Sequence, residues 1–180
     1  PDALGPRVAD NMMITRHVIR EFGKYALGAE HSNLISSIVP GVMAQTGMES
    51  LEIIRGVIRE TEPDCIVAVD ALAARSVKRL NRTIQITNTG INPGSGVGNH
   101  RHGLNRESVG IPVIAIGVPT VVDAATIVND AISGYYEEVD CTLNSFFVTP
   151  KDIDESIKRL SFTISEGLNL AFEKTVCTNS

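Results

Sequence analysis

The sequence has 180 residues, of which 43% are hydrophobic and 21% charged, and its formal net charge is -5. This composition excludes a disordered chain and predicts one domain with an aliphatic core, because Trp is absent and aromatic residues make up only 4%. The 16 basic residues are dispersed along the chain, which argues against nucleic acid or a membrane surface as a partner, and no apolar run reaches the ~18–20 residues that span a bilayer. We therefore expect a cytoplasmic protein.

Periodic apolar residues predict two helices in the first third of the chain. From Arg7 to about Lys24 they recur near every 3.6 residues. A second amphipathic pattern covers Glu49 to Glu60 and is closed by Pro63. The apolar stretch between them, Leu34 to Val39, predicts a short strand that a turn at Pro40-Gly41 ends.

Two uninterrupted apolar runs in the middle of the chain predict strands that are buried on both faces of a parallel sheet. The first, Cys65 to Val69, ends at Asp70, and the Ala- and Arg-rich residues Ala71 to Leu80 suit a short helix. The second, Pro112 to Gly117, leads to a helix that we expect to begin near Thr120.

The remaining segments complete an alternation of strands and helices. Thr83 to Thr87 alternates polar and apolar residues as a half-buried strand does, and the glycine-rich loop Asn88 to Gly110 is long enough to be functional. A last helix is predicted from Thr149-Pro150 to about Glu173. The fold class is therefore α/β, with a three-layer, open, mostly parallel sheet and helices on both faces.

Two places in this alternation look incomplete. The chain begins with the turn-like residues Pro1 to Pro6 and no strand before them, and the stretch from Gly134 to Leu143 has little turn punctuation. We expect that an N-terminal strand and an internal segment are missing from the sequence.

The stretch Gly94 to Asn99 matches neither a dinucleotide loop nor a phosphate loop. The dinucleotide pattern requires glycine where Asn99 stands, and the phosphate pattern requires Gly-Lys-Ser/Thr. Ser95 has no glycine two residues before it and is therefore not a nucleophile elbow. We expect this stretch to place backbone near a substrate or a subunit contact.

Cysteine and histidine give weak signals. The three cysteines, Cys65, Cys141 and Cys177, contain no C-x-x-C pair and suggest neither a disulfide framework nor a zinc site. We interpret Cys65 as a small buried hydrophobe. His100 and His102 could supply metal nitrogens, but histidines in such a loop are more often solvated, so no cofactor is expected.

Carboxylates that follow predicted strands are stronger candidates. Asp70 would stand at the carboxyl end of a buried strand, where open α/β sheets place their active sites, although a cap on a helix from Ala71 explains it equally well. The spacing from Thr120 to Asp123 is that of a capping box with Asp in place of Glu, which favours a structural role for Asp123. Asp2 taken alone is a turn residue.

Longer motifs extend over essentially the whole chain. They are Pro1–Pro6, Val39–Met43, Ala68–Ser76, Thr83–Ile86, Thr89–Ile91, Pro93–Asn99 and Gly110–Ala124. In these motifs the chain closely resembles the germination proteases of spore-forming Firmicutes.

The resemblance implies an endopeptidase that degrades small acid-soluble spore proteins in the spore core during germination. It also implies a zymogen, a homotetramer and a single α/β protease domain over residues 1–180, with a fold similar to hydrogenase-maturation proteases. A propeptide and a first strand would precede Pro1, and a family loop is shortened near residues 138–144. The two proposed catalytic aspartates of the family fall on Asp2 and Asp70.

Our hypothesis is that Asp2 and Asp70 share a proton, so that one activates a water molecule while the other donates to the peptide. Two alternatives remain open. The same carboxylates could bind a metal ion, as in the maturation proteases, or the chain could be a non-catalytic oligomeric binding domain.

Overall fold

The computed structural model describes residues 3–27, 33–92, 102–132 and 145–173, and within these ranges it contains seven α-helices and four strands. The helices are α1 (Leu4–Asn11), α2 (Arg16–Phe22), α3 (Met43–Thr46), α4 (Ser50–Thr61), α5 (Arg106–Val109), α6 (Ala124–Ile132) and α7 (Ile153–Glu173). The strands are β1 (Ile66–Ala74), β2 (Gln85–Thr87), β3 (Val113–Asp123) and β4 (Phe147–Val148). The described chain divides into two compact units: a larger unit of residues 40–157, and a smaller unit of residues 3–39 together with residues 158–173.

The strand β3 lies at the centre of the sheet in the larger unit. β1 pairs with it in parallel along one edge, whereas β2 and β4 pair with it antiparallel. The α/β class and the parallel pairing of the two apolar runs are therefore confirmed. The expectation of a mostly parallel sheet is wrong, because the described sheet is mixed. The helices are compatible with the expected three-layer arrangement.

Both long strands extend beyond their predicted ends. β1 continues to Ala74, so the helix predicted over Ala71–Leu80 is wrong, and only a 3-10 turn at Val77–Arg79 follows. Alanine favours helices, but the ladder to β3 satisfies the backbone groups of these residues, and tertiary pairing overrides that preference. The helix predicted near Thr120 begins instead at Ala124, because β-branched residues continue β3 to Asp123.

A change of register interrupts the β1–β3 ladder near its end. Leu72 pairs with Pro119 but Ala73 pairs with Val121, so Thr120 is an extra residue in β3. The Thr120 carbonyl accepts a hydrogen bond from the Thr149 hydroxyl at 2.9 Å. This hydrogen bond therefore stabilises the irregular backbone at Thr120. The last helix begins after Thr149, at Ile153, which is later than predicted.

The smaller unit shows why one predicted helix is two and one predicted strand is absent. The chain leaves the helical conformation after Asn11, where the Asn169 side chain accepts from the Met13 amide at 2.9 Å and donates to the Asn11 carbonyl at 3.1 Å. Leu34 to Val39 forms no strand, because the Ile35 carbonyl accepts from the amides of Thr15 and Arg16 and none of the four described strands pairs with this segment.

Further expectations have mixed outcomes. The helix predicted over Glu49–Glu60 is confirmed as α4, and its first turn carries a capping box between Glu49 and Glu52. Cys65 is exposed and precedes β1, so its interpretation as a buried residue is wrong, and the strand that follows it is half-buried from Ile66 to Ala73. In the part of the chain that the structure describes, no helix combines the length and the apolar character that a membrane span requires.

Candidate active site

Asp70 lies in the middle of β1 and not at its end. Side chains alternate along a strand, so Asp70 shares a face of the sheet with Ile66, Ala68 and Leu72. The cap explanation is wrong, because the residues from Ala71 onward continue the strand and there is no helix for Asp70 to cap.

An apolar cluster covers the beginning of this face. Its buried members are Leu51 of α4, Leu104 and Val113, and the partly buried residues packed against it are Ile54, Ile66, Ala68, Ile91 and Val109. Ile66 and Ala68 precede Asp70 on the same face of β1. The carboxylate is therefore the first polar group after a packed apolar section of the sheet.

The backbone around Asp70 holds the carboxylate in place. Its Oδ1 atom accepts a hydrogen bond from the Ala71 amide at 2.9 Å, and the residue is half-buried. A partly exposed carboxylate whose direction is fixed by a backbone amide can exchange a proton with a reactant in a defined geometry. This is what general acid–base catalysis requires of a side chain.

Gly117 stands beside Asp70 on the central strand. A Cβ atom at this position would lie 2.3 Å from Cδ1 and 2.7 Å from Cγ of Leu72, which is closer than real Cβ atoms approach other groups. The glycine therefore leaves room for the Leu72 side chain to pack over β3. The result is an apolar surface directly next to the carboxylate.

The other candidates from the sequence fall into two groups. Asp2, Gly94–Asn99, His100, residues 138–144, Cys141 and Cys177 lie outside the described residues. His102 is described, and its Nδ1 atom lies 2.8 Å from Oε2 of Glu49 in an exposed pair. Within the described ranges no three His, Cys, Asp or Glu side chains come together as a metal site.

The structural role predicted for Asp123 is confirmed, but the helix that it caps begins at Ala124 and not near Thr120. Its carboxylate accepts from the amide and from the hydroxyl of Thr126, both at 2.7 Å, and so caps α6. Burial acts to raise the pKa of Asp123, but these hydrogen bonds outweigh it and the pKa lies below its ordinary value.

Two side chains near the site carry no motif of their own in the sequence. Asp130 of α6 accepts from the Ser76 hydroxyl at 2.9 Å and from the Val77 amide at 2.8 Å, and it thereby fixes the segment that follows β1. Gln85 of β2 pairs with Gly117 on the side opposite Asp70. The polar–apolar alternation of Thr83–Thr87 predicts the strand, but only the register shows that Gln85 lies level with Asp70 across the sheet.

Comparison with known proteins shows what this chain is similar to. A family model described as germination protease matches residues 1–142. A germination protease of Caldanaerobacter subterraneus subsp. tengcongensis and one of Clostridium tetani are each 43% identical over 203 aligned residues, covering 96% of this chain and 62% of the relative. A germination protease of Bacillus velezensis is 56% identical over 132 residues, covering 73% of this chain and 35% of the relative.

The lengths of these matches matter as well as their identities. The chain spans less than two thirds of the length of these relatives. The longer alignments, at 203 positions, exceed the 180 residues of the chain and therefore include positions that it lacks. The family model and the relatives agree, and the chain belongs to the germination protease family.

Proposed function

We propose that this chain hydrolyses peptide bonds during spore germination and that Asp70 acts in catalysis together with Asp2. The observation that carries the proposal is the position of Asp70: a half-buried carboxylate, held by the Ala71 amide, at the end of an apolar section of the sheet face. Membership of the germination protease family supports the same reaction.

The proposed mechanism uses one proton that the two carboxyl groups share. The ionised group accepts a proton from a water molecule, whose oxygen attacks the carbonyl carbon of the scissile bond, while the protonated group donates to the carbonyl oxygen. Collapse of the tetrahedral intermediate breaks the C–N bond, as the protonated carboxyl group gives its proton to the leaving nitrogen and the ionised group takes a proton from a hydroxyl of the intermediate. The pair holds one proton again after each turnover, and its titration belongs to both residues together.

The finer points of the proposal follow the family resemblance. We infer small acid-soluble spore proteins as substrates, the spore core as location, a zymogen and a homotetramer as the assembly. We also infer a single α/β protease domain with a fold like that of hydrogenase-maturation proteases. The mixed sheet centred on β3 is compatible with that fold.

The test is cleavage of a purified small acid-soluble spore protein, with fragments identified by mass spectrometry. Asp70→Asn keeps the size of the side chain but removes its acid–base function, and we expect the rate to fall to background. Asp64→Asn is the matched control, because Asp64 is an exposed aspartate just before β1, and we expect it to cleave at the wild-type rate.

Three results would overturn this proposal. Cleavage by Asp70→Asn at a rate near that of wild type would remove Asp70 from the mechanism. Loss of wild-type cleavage after treatment with a chelator, with recovery when a divalent metal is returned, would favour the metal-dependent alternative. Substrate binding without any cleavage by the wild type would favour the non-catalytic binding domain.

A further inference from the structure

A row of three residues crosses the sheet at the level of Asp70. Asp70 of β1 pairs with Gly117 of β3, and Gly117 pairs with Gln85 of β2. Residues in register on neighbouring strands project to the same face of a sheet. Asp70 and Gln85 therefore share one face, two strand spacings or about 10 Å apart between Cα atoms.

The middle of this row is apolar. Gly117 has no side chain, and Leu72 of β1 occupies the space where its Cβ would be, with Cδ1 at 2.3 Å from that position. A carboxylate on one side and a primary amide on the other thus border a surface formed by Leu72. No polar side chain of the row stands between them.

The side chain of Gln85 differs from its polar neighbours in its hydrogen bonding. The Thr83 hydroxyl donates to the Arg79 carbonyl at 3.3 Å, and the Thr87 hydroxyl pairs with that of Thr89 at 2.8 Å. Gln85 is half-buried, and its amide makes no hydrogen bond to any part of the chain that the structure describes. With respect to the described residues, the amide therefore has both a donor and an acceptor available on the Asp70 face.

We propose that Gln85 binds the backbone of the substrate peptide. Its Nε2 group donates to a peptide carbonyl and its Oε1 atom accepts from a peptide N–H, about three residues from the scissile bond, because an extended chain rises about 3.3 Å per residue. The inference rests on the proposed function, in which Asp70 acts at the scissile bond. Gln85 is then a positioning residue that orients the peptide across the Leu72 surface.

The test compares Gln85→Met with the wild type in cleavage of the same spore protein. Methionine keeps the length of the side chain and removes its hydrogen bonds, and we expect kcat/KM to fall about tenfold, mainly through KM, because the contact is to backbone away from the reacting atoms. The matched control is Ile86→Ala, since Ile86 is 68% exposed on the opposite face of β2, and we expect unchanged kinetics.

A binding measurement separates this inference from the proposed function. Asp70→Asn and the double variant Asp70→Asn/Gln85→Met are titrated with the spore protein, and we expect the double variant to bind about tenfold more weakly. Equal affinities, with Gln85→Met cleaving like the wild type, would overturn the role of Gln85 while leaving that of Asp70 intact. An active Asp70→Asn enzyme would instead overturn the proposed function.

Discussion

Gly117 is the residue on which the shape of the candidate site depends most. Its φ is not positive, so a glycine is not needed for the backbone conformation. It is needed because Leu72 fills the volume that any other side chain at this position would enter. The sequence shows a glycine inside an apolar run but does not reveal which side chain crosses it. That information resides in the pairing of β1 with β3.

Gly117→Ala is predicted to destabilise the chain by about 1–3 kcal/mol, because Leu72 or the strand must move to admit the methyl group. Urea unfolding followed by circular dichroism measures the change. Gly56→Ala is the control: Gly56 lies inside α4 with open space around its Cβ position, and alanine there should stabilise by up to about 1 kcal/mol. A Gly117→Ala protein as stable as the wild type would show that Leu72 does not pack there.

At the scale of elements, the local sequence pattern predicted which helices and strands are present better than it predicted the residues at which they begin and end. The apolar runs predicted the two long strands, β1 and β3, and the amphipathic pattern predicted α4. Ala71–Ala74 is the informative failure, since these residues favour a helix in isolation and become strand only because β3 supplies hydrogen-bond partners. Asp123 shows the same effect, because it does act as a cap, but for a helix that begins after β3 ends.

The cap of α6 predicts a dependence of stability on pH. The pKa of Asp123 in the folded chain lies below its usual value of 3.8, so its contribution is present above that pH and is lost as pH falls through the folded-state pKa. Asp123→Ala should therefore lower the free energy of unfolding by about 1 kcal/mol at pH 7. We expect this difference to shrink below about pH 4 in parallel urea titrations. An equal difference at pH 7 and pH 3 would contradict the assignment.

At the scale of the whole molecule, the sheet brings together residues that are distant in sequence. Asp70, Gly117 and Gln85 form one row although the chain separates them. The sequence singles out Asp70 as a candidate, because it stands in a family motif after an apolar run. It could not find Gln85, because the register of an antiparallel ladder is set by packing and hydrogen bonds across strands and not by the residue itself.

The central claim is that Asp2 and Asp70 act as one catalytic unit, and a double-variant cycle tests it most directly. Cleavage rates are measured for Asp2→Asn, Asp70→Asn and the variant with both changes, with folding verified by circular dichroism. Residues that act as a unit are not additive, so we expect each single variant to fall to background and the double variant to be no slower. A single variant that keeps a rate within tenfold of wild type would contradict the account.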